Sequence, residues 1–408
     1  MRNLFNKTRS SAGSRSPSAS QPVDDAVVED DGVVHPKLRP FYIAGSSPFV
    51  DFTPIFVHHP WRTVWKARQS AAGQLFRCVK RVERREYAGL RGPLGAQLAE
   101  PHEVQEIDFL SQCRHPLVVT FFGFYFAPVA SSSVSSKSTG SPLAQSLNLV
   151  FELMDRSMLD EILRRKQYGA AQLDVLEVWN VLFQLALALD HLHSIKLLHR
   201  GITPSNILLA DIRSGATQPD ARLGRFIVKL SDFNTLKPIT GVDNDDRGSL
   251  CFRSPEAIGS APRFSVGSDV WSLCCTVFAL VLLEEQGPLG PRVRADGTRV
   301  VGIDEALTMR PPLFAPTEAG HMDMLEYYEL VDLPFPQLTP VLLNGCRMEG
   351  EQRPRSVKDW LARVPALARN QFANQAADFT RAFVAGGFVQ DAQRKDRFVQ
   401  QAARLLDF

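Results

Sequence analysis

The sequence predicts an α+β fold in which a strand-rich front part is followed by a helix-rich rear part. Three observations carry this reading. From about residue 50 the chain runs in short β-like segments, IFVHH, RTVWKA and QLFRCVKRV, with a turn at Ala72-Gly73. After residue 155 helical spacing dominates, as at Val178, Leu182, Leu185 and Leu189. Between that helix and an apolar strand lies a short polar loop, LLHRGITPSNILL at 197–209, around which the chain is organised. With 408 residues and 44% hydrophobic content, the chain can bury a sizeable core, in two or three compact units.

Composition narrows the function classes. The 46 basic residues nearly balance the 44 acidic ones, so nothing global points to nucleic acid or a membrane surface. Cys78, Cys113, Cys251, Cys274, Cys275 and Cys346 show no CxxC pair and no zinc-ligand spacing, and read as buried thiols of a reducing compartment. The longest apolar run, VWSLCCTVFALVLL at 270–283, is shorter than the roughly 18–20 residues of a membrane span and reads as a fully buried helix. A cytoplasmic location follows as the expectation. An organelle transit peptide in the basic, Ser-rich start is the alternative, although only Leu4 and Phe5 offer it an apolar face.

Taken in order, residues 1–45 read as a disordered tail, basic and Ser-rich first and acidic from Asp24 to Asp31. Strands follow up to Lys80, then the helix EPHEVQEIDFLSQCRHP, then two apolar strands separated by a Ser-rich insert at 127–146. His58 and His59 suggest no shared metal site, because neighbours in a strand point to opposite faces. Helices dominate 155–365, with a Pro- and Gly-rich insert within 286–340. Phe372, Ala376, Phe379 and Phe383 form one stripe, Gly386-Gly387 stops it, and Phe398, Ala402 and Leu405 resume it, so 366–408 reads as a helical pair packed back on the rear part, with a stripe exposed for a partner as the alternative.

The polar loop resembles the catalytic core of the eukaryotic protein kinases, where a His-Arg-Asp loop and an Asn precede a strand and an Asp-Phe-Gly turn. Here the motifs read His199-Arg200-Gly201, Asn206 and Asp232-Phe233-Asn234. The resemblance covers roughly residues 50–365, is closer to the serine/threonine type, and implies a bilobal fold, with a small lobe at 48–154 and a large lobe at 155–365. It implies that Lys80 contacts nucleotide phosphates with Glu106 as its partner, and that Asn206 and Asp232 hold Mg2+ against ATP. Val64, Cys78, Glu152, Met154 and Leu208 are the residues it places around the nucleotide, with Phe151 at the back of the pocket. It sets Leu110, Phe121, His199 and Phe233 in an apolar stack, pairs Glu256 with Arg353, and gives Asp269 the backbone of the central loop to hold.

The departures divide by role. Gly201 replaces the aspartate that accepts the substrate hydroxyl proton, and Thr203 replaces the lysine that steadies the transferred phosphate. Val57, His59 and Arg62 stand where the family has the glycines of its phosphate loop. Asn234 replaces the turn glycine and is expected to take a left-handed backbone there. The resemblance with these departures implies a pseudokinase that binds ATP and Mg2+, transfers phosphate poorly and works through protein partners. The alternative is a divergent active serine/threonine kinase, favoured by Ser249; a fold that binds no ATP is the third reading. Arg200 is set to meet Asp243, Asp245 and Asp246, although ordinary solvation of those acids is the simpler expectation.

Overall fold

The structure, a computed structural model, describes residues 39–43, 48–59, 62–70, 75–83, 101–128, 145–169, 173–212, 222, 224–239, 250–257, 262–283, 292–293, 299–300, 337–346 and 353–407. The chain divides into two compact units, Met1–Cys113 with Thr120–Leu153, and Arg114–Val119 with Met154–Phe408.

The first unit is built on an antiparallel sheet of five strands, β1 (Phe49–His59), β2 (Arg62–Gln69), β3 (Phe76–Glu83), β4 (Phe121–Pro128) and β5 (Gln145–Phe151), in the order β1-β2-β3-β5-β4. Helix α1 (Pro101–Gln112) lies between β3 and β4 in sequence. Alternation sorts the strand residues. Phe49, Ala67, Val79, Tyr125 and Val150 make a core on one face, so Cys78 and Lys80, each one step from Val79, point to the other.

Two sequence boundaries shift. The segment expected as tail is structured at 39–43, where Arg39–Phe41 forms a 3-10 turn, Tyr42 bridges Phe124 in parallel and Ile43 N–H donates to Phe124 O at 2.8 Å. The close approach depends on Gly123, whose φ is 143° and whose missing Cβ would stand 2.3 Å from Phe41 O. The Ser-rich insert is shorter than 127–146, since Ala127, Pro128, Gln145 and Ser146 pair in strands, with the Ser146 hydroxyl donating to Ala127 O. The rest of that insert lies outside the described residues.

The second unit is helical around a small three-stranded sheet, β6 (Arg156–Ser157), β8 (Ile207–Asp211) and β9 (Phe226–Leu230), ordered β6-β8-β9, beside a short pair of β7 (Leu197–Leu198) and β10 (Lys237–Pro238). Ser157 and Asp160 form a capping box on α2 (Met158–Tyr168), and Gly169 ends it in the left-handed conformation. Helix α3 (Val175–Ser194) runs through the core. Its buried Gln184 reads β9 like a missing strand, donating to Phe226 O at 3.0 Å and accepting from Val228 N–H at 2.8 Å. Among the described residues α3 alone is long and apolar enough to cross a membrane, and most of it is buried inside the unit. Helix α4 (Val266–Leu282) is buried along nearly its whole length, in keeping with its unbroken apolar run.

Most of the expected 286–340 insert lies outside the described residues; an antiparallel pair of β11 (Arg292–Val293) and β12 (Arg299–Val300) is seen, and Thr339 and Pro340 already belong to α5 (Thr339–Gly345). After α6 (Val357–Ala362) come α7 (Ala366–Ala385) and α8 (Ala392–Leu406). The predicted stripe packs inward: Phe372 meets Trp179 and Phe183, Phe379 meets Phe183, and Phe383 meets Phe398.

Helix α8 is also fastened by polar contacts. The Gln401 amide donates to Leu187 O at 2.9 Å and to Asp190 Oδ2 at 3.0 Å, and its oxygen lies 3.0 Å from His115 Nε2. His115 Nδ1 accepts Leu117 N–H, and its ring stacks on His191 with centroids 4.7 Å apart. Both ring nitrogens are thus matched in the neutral form. Burial, then the neighbouring His191, push the His115 pKa down to about 3 despite the Gln401 bond, with Lys229 adding to the fall.

A pH dependence follows. The unfolded chain takes a proton at His115 near the ordinary value of 6.5 while the native state does not until about 3, so stability is full above 6.5 and is lost as pH falls through that window, by up to about 1.4 kcal/mol per pH unit. In urea titrations at pH 7 and pH 5, His115→Phe is expected to lose less stability between the two than the unsubstituted protein. Equal losses would show that His115 titrates normally in the native state.

Candidate functional site

In the first unit, β3 places Lys80 between Val64 of β2 and Leu149 of β5. Its Nζ donates to Glu106 Oε2 at 2.8 Å and Oε1 at 3.1 Å, with Glu106 fully buried on α1. A buried pair is sustained only when both oxygens are engaged, as here. Leu110, one turn beyond Glu106, and Phe121 are buried, and the Phe121 ring meets Phe151 at 5.6 Å. Cys78 pairs across to Lys66 and Phe151, and burial pushes its thiol up to about 12 against the pull of Lys80. Glu152 is fixed to Thr120 twice, its N–H donating to Thr120 O at 3.0 Å and its carboxylate accepting Thr120 N–H at 2.6 Å. Its amide is therefore spent on Thr120, and Met154 belongs to the second unit.

The positions where glycines were sought are strand positions. Val57 pairs with Thr63, and His59 with Arg62, with a register shift between the two pairs, so the β1–β2 pairing continues as far as His59 and Arg62. The side chains of Val57, His58, His59 and Arg62 lie outside the described residues.

The second unit carries the polar loop. Asp269, 1% exposed at the start of α4, accepts His199 N–H at 2.9 Å, Arg200 N–H at 2.8 Å and His193 Nε2–H at 3.0 Å. Burial opposes its charge, but the His193 bond and the loop amides outweigh that and hold its carboxyl below the ordinary range. These bonds pin Arg200 in a left-handed backbone, φ 64°, which a non-glycine residue adopts only under constraint. His199 Nδ1 accepts Gly201 N–H at 3.2 Å, so Nε2 carries the proton and donates to Ser231 O at 3.1 Å; burial pushes its pKa down.

Asn206 is oriented by two sets of bonds. Its Nδ2 donates to Gly201 O at 2.8 Å, which assigns the amide and turns Oδ1 the other way, and its backbone O accepts both Ser231 N–H and Ser231 Oγ. Thr203, in the expected lysine position, is buried and its hydroxyl lies 2.9 Å from Ser205 Oγ. Leu208 is half-buried on β8.

Asp232 follows β9 with φ 60° and ψ 76°, and Phe233, fully buried, meets the His199 ring at 5.1 Å. The left-handed residue of this turn is therefore Asp232 and not Asn234. Phe233–Thr235 forms a 3-10 turn, which asks for no glycine at position 234.

The brace expected further on is present. Arg353, 1% exposed, donates through Nη1 to Glu256 Oε1 at 2.6 Å and through Nη2 to Oε2, and its guanidinium lies over Trp271 at 5.3 Å. Arg200 meets an aromatic face, the Phe264 ring at 3.9 Å. Asp243, Asp245, Asp246 and Ser249 lie outside the described residues.

The family model of the protein kinase domain matches residues 63–291, more than half of the 408. The chain belongs to the protein kinase family. It is similar to glycogen synthase kinase 1 of Pyricularia oryzae, 29% identical over 59% of this chain and 52% of that protein. It resembles a calcium/calmodulin-dependent protein kinase kinase of Caenorhabditis elegans, 30% identical over 47% and 30% of the two chains. Serine/threonine-protein kinase nekl-2 of the same organism is 25% identical over 45% and 46%. The chain thus spans about half or less of the length of each of these relatives.

Kinase domains in general bind ATP and Mg2+, and an amide oxygen and a carboxylate, the groups that Asn206 and Asp232 carry, are of the hard type that Mg2+ prefers. Among the described residues no group of three or more His, Cys, Asp or Glu could hold a metal ion. Two contributors escaped the sequence reading. His193 was legible only as one more helix residue, and Thr235, whose hydroxyl donates to His199 O at 2.8 Å, had as its one signal a small hydroxyl residue just after the Asp-Phe-Asn turn.

Asp269→Asn keeps the shape but leaves a single acceptor oxygen for the donors that the carboxylate now serves, which costs about 2–4 kcal/mol. Denaturant titration at neutral pH measures this. The carboxylate's contribution is present above the ordinary 3.8 and lost as pH falls through its lowered value, so the gap between the two proteins is expected to close in acid.

Proposed function

We propose that this kinase domain is a pseudokinase: it binds ATP with Mg2+, transfers phosphate poorly and acts on protein partners as a scaffold or allosteric regulator. The observation that carries the reading is the central loop, formed and hydrogen-bonded throughout, with Asn206 and Asp232 present and a glycine at the position of the base. Lys80, paired with Glu106, would meet nucleotide phosphates; Asn206 and Asp232 would hold the cation. Bound Mg2+ supplies charge neutralisation at the phosphates.

What the chain lacks is at the reacting end. Without a carboxylate at 201 no side chain there takes the hydroxyl proton, a loss of about 10²–10⁴ in rate. Thr203 brings no positive charge to the transferred group, and the paired β1–β2 backbone at Val57 and His59 offers no glycine-lined cradle. The second reading, a divergent active serine/threonine kinase, is favoured by the Lys80–Glu106 pair being made, since phosphoryl transfer leans on positioning and electrostatics more than on a base. The six cysteines show no CxxC pair and no zinc-ligand spacing in the sequence, which supports placing the protein in a reducing compartment such as the cytoplasm.

A thermal-shift series separates the readings. ATP with magnesium is expected to raise the melting temperature, and Lys80→Ala or the omission of magnesium to remove the rise. Transfer of labelled phosphate to protein at rates of about 1–100 per second, abolished by Asp232→Ala, would overturn the pseudokinase reading in favour of the active kinase. No shift with any nucleotide would overturn the nucleotide site.

A further inference from the structure

The neighbourhood of Gly201 shows more than a missing carboxylate. A Cβ built on Gly201 would stand 2.9 Å from Thr235 Oγ1, closer than real Cβ atoms tolerate without a shift, whereas Asn206 Nδ2 and His199 Nδ1 would be at an ordinary 3.6 Å. Gly201 does not lie in the left-handed region. Space, and not backbone torsion, therefore bars a side chain.

The obstructing hydroxyl is held in place. Thr235 is 8% exposed and donates to His199 O at 2.8 Å, and a β-branched side chain has few rotamers to retreat into. Turning it away gives up a buried hydrogen bond. Together with Asn206 Nδ2 to Gly201 O and Ser231 to Asn206 O, it ties the loop at 199–206 to the turn at 231–235 without any carboxylate at 201.

We infer that Thr235 is a positioning residue that fills the base position of the central loop from the neighbouring turn, so that an aspartate cannot be restored at 201 by one substitution alone. The inference deepens the pseudokinase reading and rests on it for its functional consequence, while its structural core stands on the distances above. The loop is adapted to a small residue at 201, and Asn206 is kept in place by its bond to Gly201 O, which an aspartate there would disturb.

The test is a thermal-denaturation cycle of the full chain, with Gly201→Ala chosen because it adds only the Cβ. Beside Thr235 it is expected to lower the melting temperature by about 3–6 °C. Beside Thr235→Ser, which keeps the hydroxyl, the fall should persist. Beside Thr235→Ala it should turn into a small rise of about 1–3 °C, the usual gain from replacing a glycine whose backbone accepts a side chain. The same shift in all three backgrounds overturns the inference.

The functional arm compares phosphate transfer from ATP by Gly201→Asp alone and with Thr235→Ala, in proteins that keep the magnesium-dependent ATP shift. The pair is expected to be at least about tenfold faster. Equal rates, zero included, overturn the claim that Thr235 keeps the carboxylate out. Loss of the ATP shift in the unsubstituted protein strikes the nucleotide reading alone, and the denaturation cycle then decides this one.

Discussion

The Asp269 carboxylate is the constraint on which the central loop depends, since it gathers His199 N–H, Arg200 N–H and the His193 imidazole at the start of a buried helix. Left-handed backbone at Arg200 is costly for a residue with a side chain. It persists because two consecutive amides are aimed at the two oxygens of one buried acid. From that fixed point the geometry propagates: His199 is set in one tautomer, its Nε2–H reaches Ser231 O, and Ser231 in turn holds Asn206 O. Each bond orients the donor or acceptor of the next, so the loop is specified as a network and not residue by residue.

On the pseudokinase reading, such a network would let binding and chemistry come apart. The groups that would hold a nucleotide and its cation are braced from behind, Lys80 by Glu106 and Asn206 by Gly201 O and Ser231. A general base, in contrast, points forward into reacting space and braces nothing. Its replacement by glycine therefore leaves the scaffold whole, and a hydroxyl on the next turn takes up the room.

Much of the fold was legible because its signals are periodic or local. Val178, Leu182, Leu185 and Leu189 announce a buried helix, and all four are buried; the stripe from Phe372 to Phe383 announces a second, and it packs as read. Glu256 and Arg353, far apart in sequence, were legible through motif order alone, and they meet. The failures are cases where a tertiary contact overrides local character. Phe41 to Ile43 look like the end of a polar tail until Gly123 lets the backbone approach β4. Asn234 was read as the residue replacing a glycine, yet the turn puts its left-handed torsion on Asp232, between the end of β9 and the buried Phe233. The Thr235 contact with position 201 had no periodic trace, because it is made across two loops.

The docking of residues 39–43 also bears on how the first unit behaves in solution. β4 ends the sheet, and an open edge strand is a template for another chain. Tyr42 and Ile43 engage the backbone at Phe124, while Phe41 and Tyr42 cover the rings of Phe121 and Phe124. A chain begun after Ile43 would uncover these strand groups and the two rings together, turning a closed border into an adhesive one and inviting sheet-to-sheet self-association before any question of catalysis arose.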